Sequence, residues 1–464
     1  MYRILTVFFV LVLLGGCTND KRKETGVWIG GQIIHPHSNT FVITNGVMTD
    51  TLYLDNNNRF LKYFEDFSEG IYSIIHQEYQ VLYLVPGDSL MLRINTVEFD
   101  ESIGFTGIGA ERNRFLIDMF LHNEREITQM TQYYVLSPEA FIAKADSMYQ
   151  NRLEVIKKYQ HKNSLPRGFV EVAHANAQYD YYSKLEMYPY AHYGRTNVTL
   201  ANLPEGYYDF RNNIDYNSEL LQNYYTYYNF LFRHFDNLAY EKYCKQMVYD
   251  DENAIHITHK IEAINKKIQL ENLKNNLLNS SIRRFVVHSK YLQNDSEPLN
   301  MFLQYSTNEI QKEEIKKLFT NALQLLPGEQ FPDVSLETYQ GSAILLKSVL
   351  RKPTVITFWS ASHRDHYTNT FSKLSELREK YPEFDFLSIN VNEDSSLWKN
   401  TVARNPGVKN FDYRFQQPTK AMESLVLRAI SKVMIVDENG IILENNTNLF
   451  RFDFEEELLS ILNR

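Results

Sequence analysis

The chain has 464 residues and a net charge of -9, too long for one ordinary core and long enough for two or three. Hydrophobic residues make up 44% and charged residues 23%, so sizeable cores can form, while the mild acidity excludes the basic patch of a nucleic-acid binder. The two cysteines, Cys17 and Cys244, exclude a disulfide framework and leave stability to packing.

Residues 1–17 read as a signal peptide. Arg3 supplies the positive end, and Ile4 to Leu14 is a run of 11 residues, apolar except for Thr6. A bilayer-spanning helix needs about 20. Leu14-Gly15-Gly16-Cys17 resembles the bacterial lipobox, in which the cysteine thiol receives a diacylglyceryl group before cleavage. Lipidation at Cys17 is expected, with residues 18–26 as a polar tether. The implied location is the cell envelope, facing the periplasm and anchored by lipid in the outer membrane.

Residues 27–106 read as strands. Leu90, Leu92 and Ile94 recur at period two, and Pro86-Gly87-Asp88-Ser89 marks a turn. A small antiparallel sandwich or barrel is expected. It resembles the β-rich module that precedes thioredoxin domains in lipoproteins of the Bacteroidetes type.

Residues 107–325 read as an all-helical domain. Ser137-Pro138-Glu139 is a helix start, and Ala254–Leu278 and Glu309–Leu325 carry helical spacing. The tyrosine-rich stretches 179–191 and 207–227 suit packing between helices better than a peptide or carbohydrate platform. His256, His259 and Lys260 read as a solvated helix face, and Cys244 as a small buried hydrophobe.

Pro327-Gly328 marks a change to alternating strands and helices, as an α/β sheet covered on both faces requires. Strands are expected at Thr354–Phe358, Phe384–Asn390, Lys432–Val436 and Ile441–Leu443. Helices are expected at Asp365–Lys380, Ser395–Arg404 and Phe452–Leu462. The acids Glu455-Glu456-Glu457 read as an exposed, solubilising face.

Within 326–464 the lead-in Gly328-Glu329-Gln330-Phe331-Pro332-Asp333-Val334, the strand Pro353 to Trp359, and Asp437 with Gly440 resemble the TlpA-like membrane-anchored thioredoxins, near the AhpC/TSA branch. The resemblance implies a thioredoxin fold with thiol-disulfide exchange through Trp-Cys-x-x-Cys. Here that stretch reads Trp359-Ser360-Ala361-Ser362-His363-Arg364-Asp365-His366, so His363 and His366 stand where the two cysteines belong. Imidazole forms no mixed disulfide. The family's cis-proline falls on Ser431, where a cis bond would cost about 2.5–4 kcal/mol.

The expected architecture is multidomain: an N-terminal β-rich domain, a central all-α domain and a C-terminal α/β thioredoxin-like domain. The degenerate positions His363, His366 and Ser431 leave no catalytic residue. A binding face of Trp359, Ser362, His363, His366 and Ser431 would take a protein or peptide without chemistry. Two alternatives stand beside this. One is the thiol-disulfide oxidoreductase that the resemblance implies. The other is a metal held by the His363/His366 pair, which would need further ligands; otherwise the pair reads as two polar, solvent-facing residues at a helix cap. No cofactor and no nucleic-acid partner is expected.

Overall fold

The computed structural model describes residues 26–463 apart from 196, 199, 290, 291, 293–295 and 393. Cys17 and nearly all of the segment read as leader and tether lie outside the described residues. No helix among the described residues is long and apolar enough to cross a membrane. Internal contacts group the chain into two compact units: residues up to 237 with 268–273, and 238–267 with 274–464. The helices read as one central domain are thus shared between the units.

The first unit opens with β1 (Val27–Ile34), β2 (Thr40–Thr44), β3 (Thr49–Tyr53), β4 (Arg59–Phe64), β5 (Gly70–His76), β6 (Glu78–Leu84), β7 (Ser89–Asn95) and β8 (Gly104–Ile108). They form two sheets, ordered β4-β1-β7-β8 and β3-β2-β5-β6. The inward residues of both, among them Ile29, Phe41, Ile74, Leu82, Leu90 and Leu92, share one core. The result is a sandwich, but not a purely antiparallel one, because β1 runs parallel to β7. Gly107 lets β8 pair with β7: its φ is +92°, and a Cβ there would lie 1.9 Å from the Ser89 carbonyl.

Helices α1 (Ala110–Tyr133), α2 (Pro138–Lys162), α3 (Arg167–Tyr193) and α4 (Tyr225–Tyr243) follow. The Ser137 side chain caps α2, accepting from the Ala140 amide. The buried amide of Asn113 substitutes for a neighbouring strand at the β6 edge. Its Oδ1 accepts from Tyr83 N at 2.7 Å and its Nδ2 donates to Tyr83 O at 3.1 Å. The tyrosines are largely packing residues, as Tyr179, Tyr182, Tyr188, Tyr207, Tyr224 and Tyr227 are all buried. One expected helix is broken. Asn217 Oδ1 accepts from Gln269 N at 2.6 Å and Leu270 N at 3.3 Å, taking amides that a continuous helix would use. Ala254–Leu278 therefore divides, and the pieces are Ala254–Lys267 and Glu271–His288.

In the second unit those pieces are α5 and α6, followed by α7 (Glu297–Tyr305) and α8 (Glu309–Leu323). His256 does not face solvent. It is fully buried and shares a 2.7 Å hydrogen bond with Tyr243, and Lys260 is buried beside it in sequence. Cys244 is half-buried rather than buried.

The seven-stranded sheet has β9 (Ser335–Glu337), β10 (Ala343–Leu345), β11 (Thr354–Trp359), β12 (Asp385–Asn390), β13 (Asp412–Phe415), β14 (Val433–Val436) and β15 (Ile442–Thr447) in the order β10-β9-β13-β12-β11-β14-β15. β11, β12 and β13 are parallel, while β14 and β15 turn antiparallel. This strand order is thioredoxin-like. Every residue of β11 is buried, as a central strand covered on both faces must be. The helices here are α9 (Arg364–Lys380), α10 (Ser395–Ala403), α11 (Pro418–Ser424) and α12 (Phe454–Leu462). Leu374 and Leu377 of α9 and Phe454 and Leu458 of α12 share a core with Val355 and Ile435. Glu455 is no solubilising residue: it takes Lys373, Lys380 and the Tyr381 hydroxyl together, joining α12 to α9.

Candidate functional site

The loop after β11 is where the resemblance places chemistry. β11 ends at Trp359, and α9 begins at Arg364 with His363 as its N-cap residue. Asn392, just beyond β12, ties the loop backbone. Its Oδ1 accepts from Ala361 N at 2.8 Å and its Nδ2 donates to Ser360 Oγ at 3.1 Å. Within the loop, His363 N donates to Ser360 O at 3.1 Å and Ser362 N to Ser360 Oγ at 3.3 Å. Arg414 holds Asn392 in turn, donating from Nε to its carbonyl at 2.9 Å, and pairs with Glu337 at 2.9 Å. Burial works against the charged form of Glu337, but Lys399, Ser395 and Arg414 hold its carboxyl below the usual range. A chain of polar contacts thus runs from β9 through β13 to the loop.

The two histidines sit differently. Ser362 and His363 are exposed at the loop tip, and the His363 side chain makes no capping hydrogen bond. His366 is half-buried, and its Nδ1 is buried with no hydrogen-bond partner among the described residues. Burial, helped by nearby His363, lowers its pKa and keeps it neutral near pH 7. The pair is therefore not two solvent-facing caps. Among the described residues, no three His, Cys, Asp or Glu side chains are placed to hold a metal ion.

Ser431 lies in the turn before β14, half-buried. The register Thr357↔Val433, carried two residues further, brings Ser431 level with Trp359. No cis peptide bond occurs among the described residues, so the Ile430–Ser431 bond is trans. The structure thus gathers Ser362, His363, His366 and Ser431 at one end of the sheet. It removes Trp359 from the face they form, because that side chain is fully buried.

What Trp359 does instead was not anticipated. Its Nε1 donates to Asp412 Oδ2 at 2.8 Å, Trp398 Nε1 donates to Oδ1 at 2.6 Å, and the Ser388 hydroxyl donates to Oδ2. All three donors are neutral. Burial pushes the Asp412 carboxyl up to about 7, against the lowering effect of Ser388, Trp398, Trp359 and more distant Arg378. The carboxyl locks the indole that anchors the end of β11 to β13 and α10. The signal in the sequence was a strand with its alternation inverted: Asp412 and Arg414 are charged at the two period-two positions of Asp-Tyr-Arg-Phe. Asn392 had a weaker signal, an Asn-x-Asn just past a buried strand.

No family model and no curated protein matches the chain. Among solved structures it is similar to the thioredoxin domain of a thiol-disulfide oxidoreductase from Bacteroides vulgatus. That match has 15% identity, covers 30% of this chain and 98% of that one, and has a TM-score of 0.26. A thiol:disulfide interchange protein from Bacteroides sp. matches at 16% identity over 30% and 93% of the two chains, TM-score 0.26. A thiol-disulfide oxidoreductase from Bacteroides fragilis matches at 15% identity over 29% and 99%, TM-score 0.24. The strand order, and not these scores, carries the fold.

Proposed function

We infer that the chain is a lipid-anchored, periplasm-facing protein of the cell envelope whose thioredoxin-like part binds a protein or peptide without redox turnover. One observation carries the reading. The loop keeps a fully tied backbone around Asn392, while the positions that would exchange electrons hold His363 and His366. A tied loop costs conformational entropy, and a recognition surface is a use for it that needs no thiol. The exposed tip at Ser362 and His363, with half-buried His366 and Ser431 beside it, is the contact surface.

A photo-cross-linking residue at Ser362 in intact cells should trap a discrete partner, and Asn392→Ala, which unties the loop, should reduce the adduct. An adduct pattern no different from that at Phe452, which is 98% exposed, would remove the assignment. The anchor is tested separately: Cys17→Ala should abolish metabolic lipid labelling.

A further inference from the structure

The tyrosine-rich helices of the first unit enclose a groove that the thioredoxin-like reading does not use. It lies between α1, α3 and α4, has a volume of about 500 Å³, and includes Ile127, Met130, Met187, Tyr134, Tyr225 and Tyr79 in its lining. That size is in the range of small-ligand sites, roughly 300–1,000 Å³. Ile127 is 60% exposed and Tyr79 57% exposed, so two large apolar side chains stand open at one place.

The charges of the groove decide what fits. Of its lining residues, Lys184 pairs with Asp180, and behind them Glu126 pairs with Lys184 at 2.6 Å while Arg152 pairs with Glu126 at 2.6 Å and Asp180 at 3.4 Å. Two cations and two anions cancel there. Two further charges line the groove and make no ion pair among the described residues: Arg233 on α4 and Glu124 on α1. Beside Arg233, no hydrogen bond from the described residues reaches the hydroxyl of Tyr134, whose pKa burial pushes up to about 12 with Arg233 partly opposing. Tyr134 follows the last residue of α1, and Glu124 precedes it by ten positions. At 1.5 Å per helical residue, the cation and the anion are therefore separated by on the order of 12–15 Å along the helices. An extended chain covers that distance in about four residues.

We propose that this groove binds a short peptide of about four residues with free ends, its terminal carboxylate on Arg233 and Tyr134 and its terminal ammonium toward Glu124. Guanidinium and phenol are the donor pair that a carboxylate takes up well. The two methionines adapt to varied side chains, so length and termini rather than sequence set the preference. This site is independent of the loop at Ser362, and its failure would leave the reading of that loop untouched.

The test is calorimetric titration of the full chain in mild detergent with the tetrapeptide Ala-Leu-Met-Ala. The free peptide should bind. Its C-terminally amidated form and the variants Arg233→Gln and Glu124→Gln should each weaken binding about tenfold or more. Arg233 and Glu124 are both exposed, so these variants keep the fold, as an unchanged melting temperature would show. Absence of heat up to millimolar peptide would overturn the proposal. So would equal affinity for the amidated form, or hexanoate binding as tightly as the peptide, since either would show that the ends of a peptide are not what the groove reads.

Discussion

Among the buried carboxylates of this protein, Glu186 in the first unit and Asp412 in the second are treated in opposite ways by their surroundings. Glu186 in the first unit has no exposed side-chain surface and meets Arg211 at 2.6 Å, His234 at 2.7 Å and the Asn237 amide. Burial alone would raise its pKa, but Arg211 and His234 bring it down to about 2. Asp412 in the second unit is buried to a similar degree. It meets two indoles and a hydroxyl, and its pKa is pushed up to about 7. Depth is the same and the shift reverses, so the partner's charge, not burial, sets the outcome. The first arrangement fixes a charge permanently. The second leaves a carboxyl behind the loop that can take or lose a proton near neutrality.

The largest way to break this comparison is Glu186→Ala. It leaves Arg211 and His234 facing a buried void, and loss of one partner of a buried charged pair costs about 3–5 kcal/mol. Urea unfolding should show that loss; a change under about 1 kcal/mol would mean that water replaces the carboxylate readily.

Next is Trp398→Phe, which removes one neutral donor from Asp412. A buried acceptor left short of a donor costs about 1–3 kcal/mol. The pKa of Asp412 should rise further, because that hydrogen bond favours the charged form.

The pH dependences sharpen the contrast at smaller amplitude. Asp412 has a folded pKa above its unfolded value, so its contribution is full below about pH 4 and is lost as pH rises through about 7. Glu186 has the opposite sign: its contribution is full above about pH 4.5 and is lost as pH falls through about 2. The chain has three tryptophans. In a Trp28→Phe background the fluorescence of Trp359 and Trp398 reports the second unit. Its midpoint should decline from pH 4 to pH 7, and Asp412→Asn should flatten that slope. A slope that survives the substitution assigns it to another group.

Much of this fold was legible because apolar pattern and fold agreed. Thr354 to Phe358 is a continuous apolar-and-threonine run and is a central strand. Ser137-Pro138 announced a cap that is present. What escaped was wherever a side chain from a distant part of the chain set the local outcome. Asn217 breaks the helix expected across residue 268. Tyr243 gives buried His256 the partner it needs. The positions His363, His366 and Ser431 could be placed by the resemblance alone, since motif spacing is local. The burial of Trp359 on Asp412 could not, because the indole and the carboxyl are 53 residues apart. Nothing local distinguishes a tryptophan that faces a partner from one that faces a buried acid.

A thioredoxin-like fold with His363 and His366 in place of the two cysteines is expected to exchange no electrons. Dithiothreitol-driven reduction of insulin by the purified full chain tests this most directly. The expected result is turbidity developing at the uncatalysed rate at every protein concentration, unchanged in Cys244→Ser. A rate proportional to protein and abolished by Cys244→Ser would contradict it, by showing that the half-buried thiol does the work the two histidines cannot.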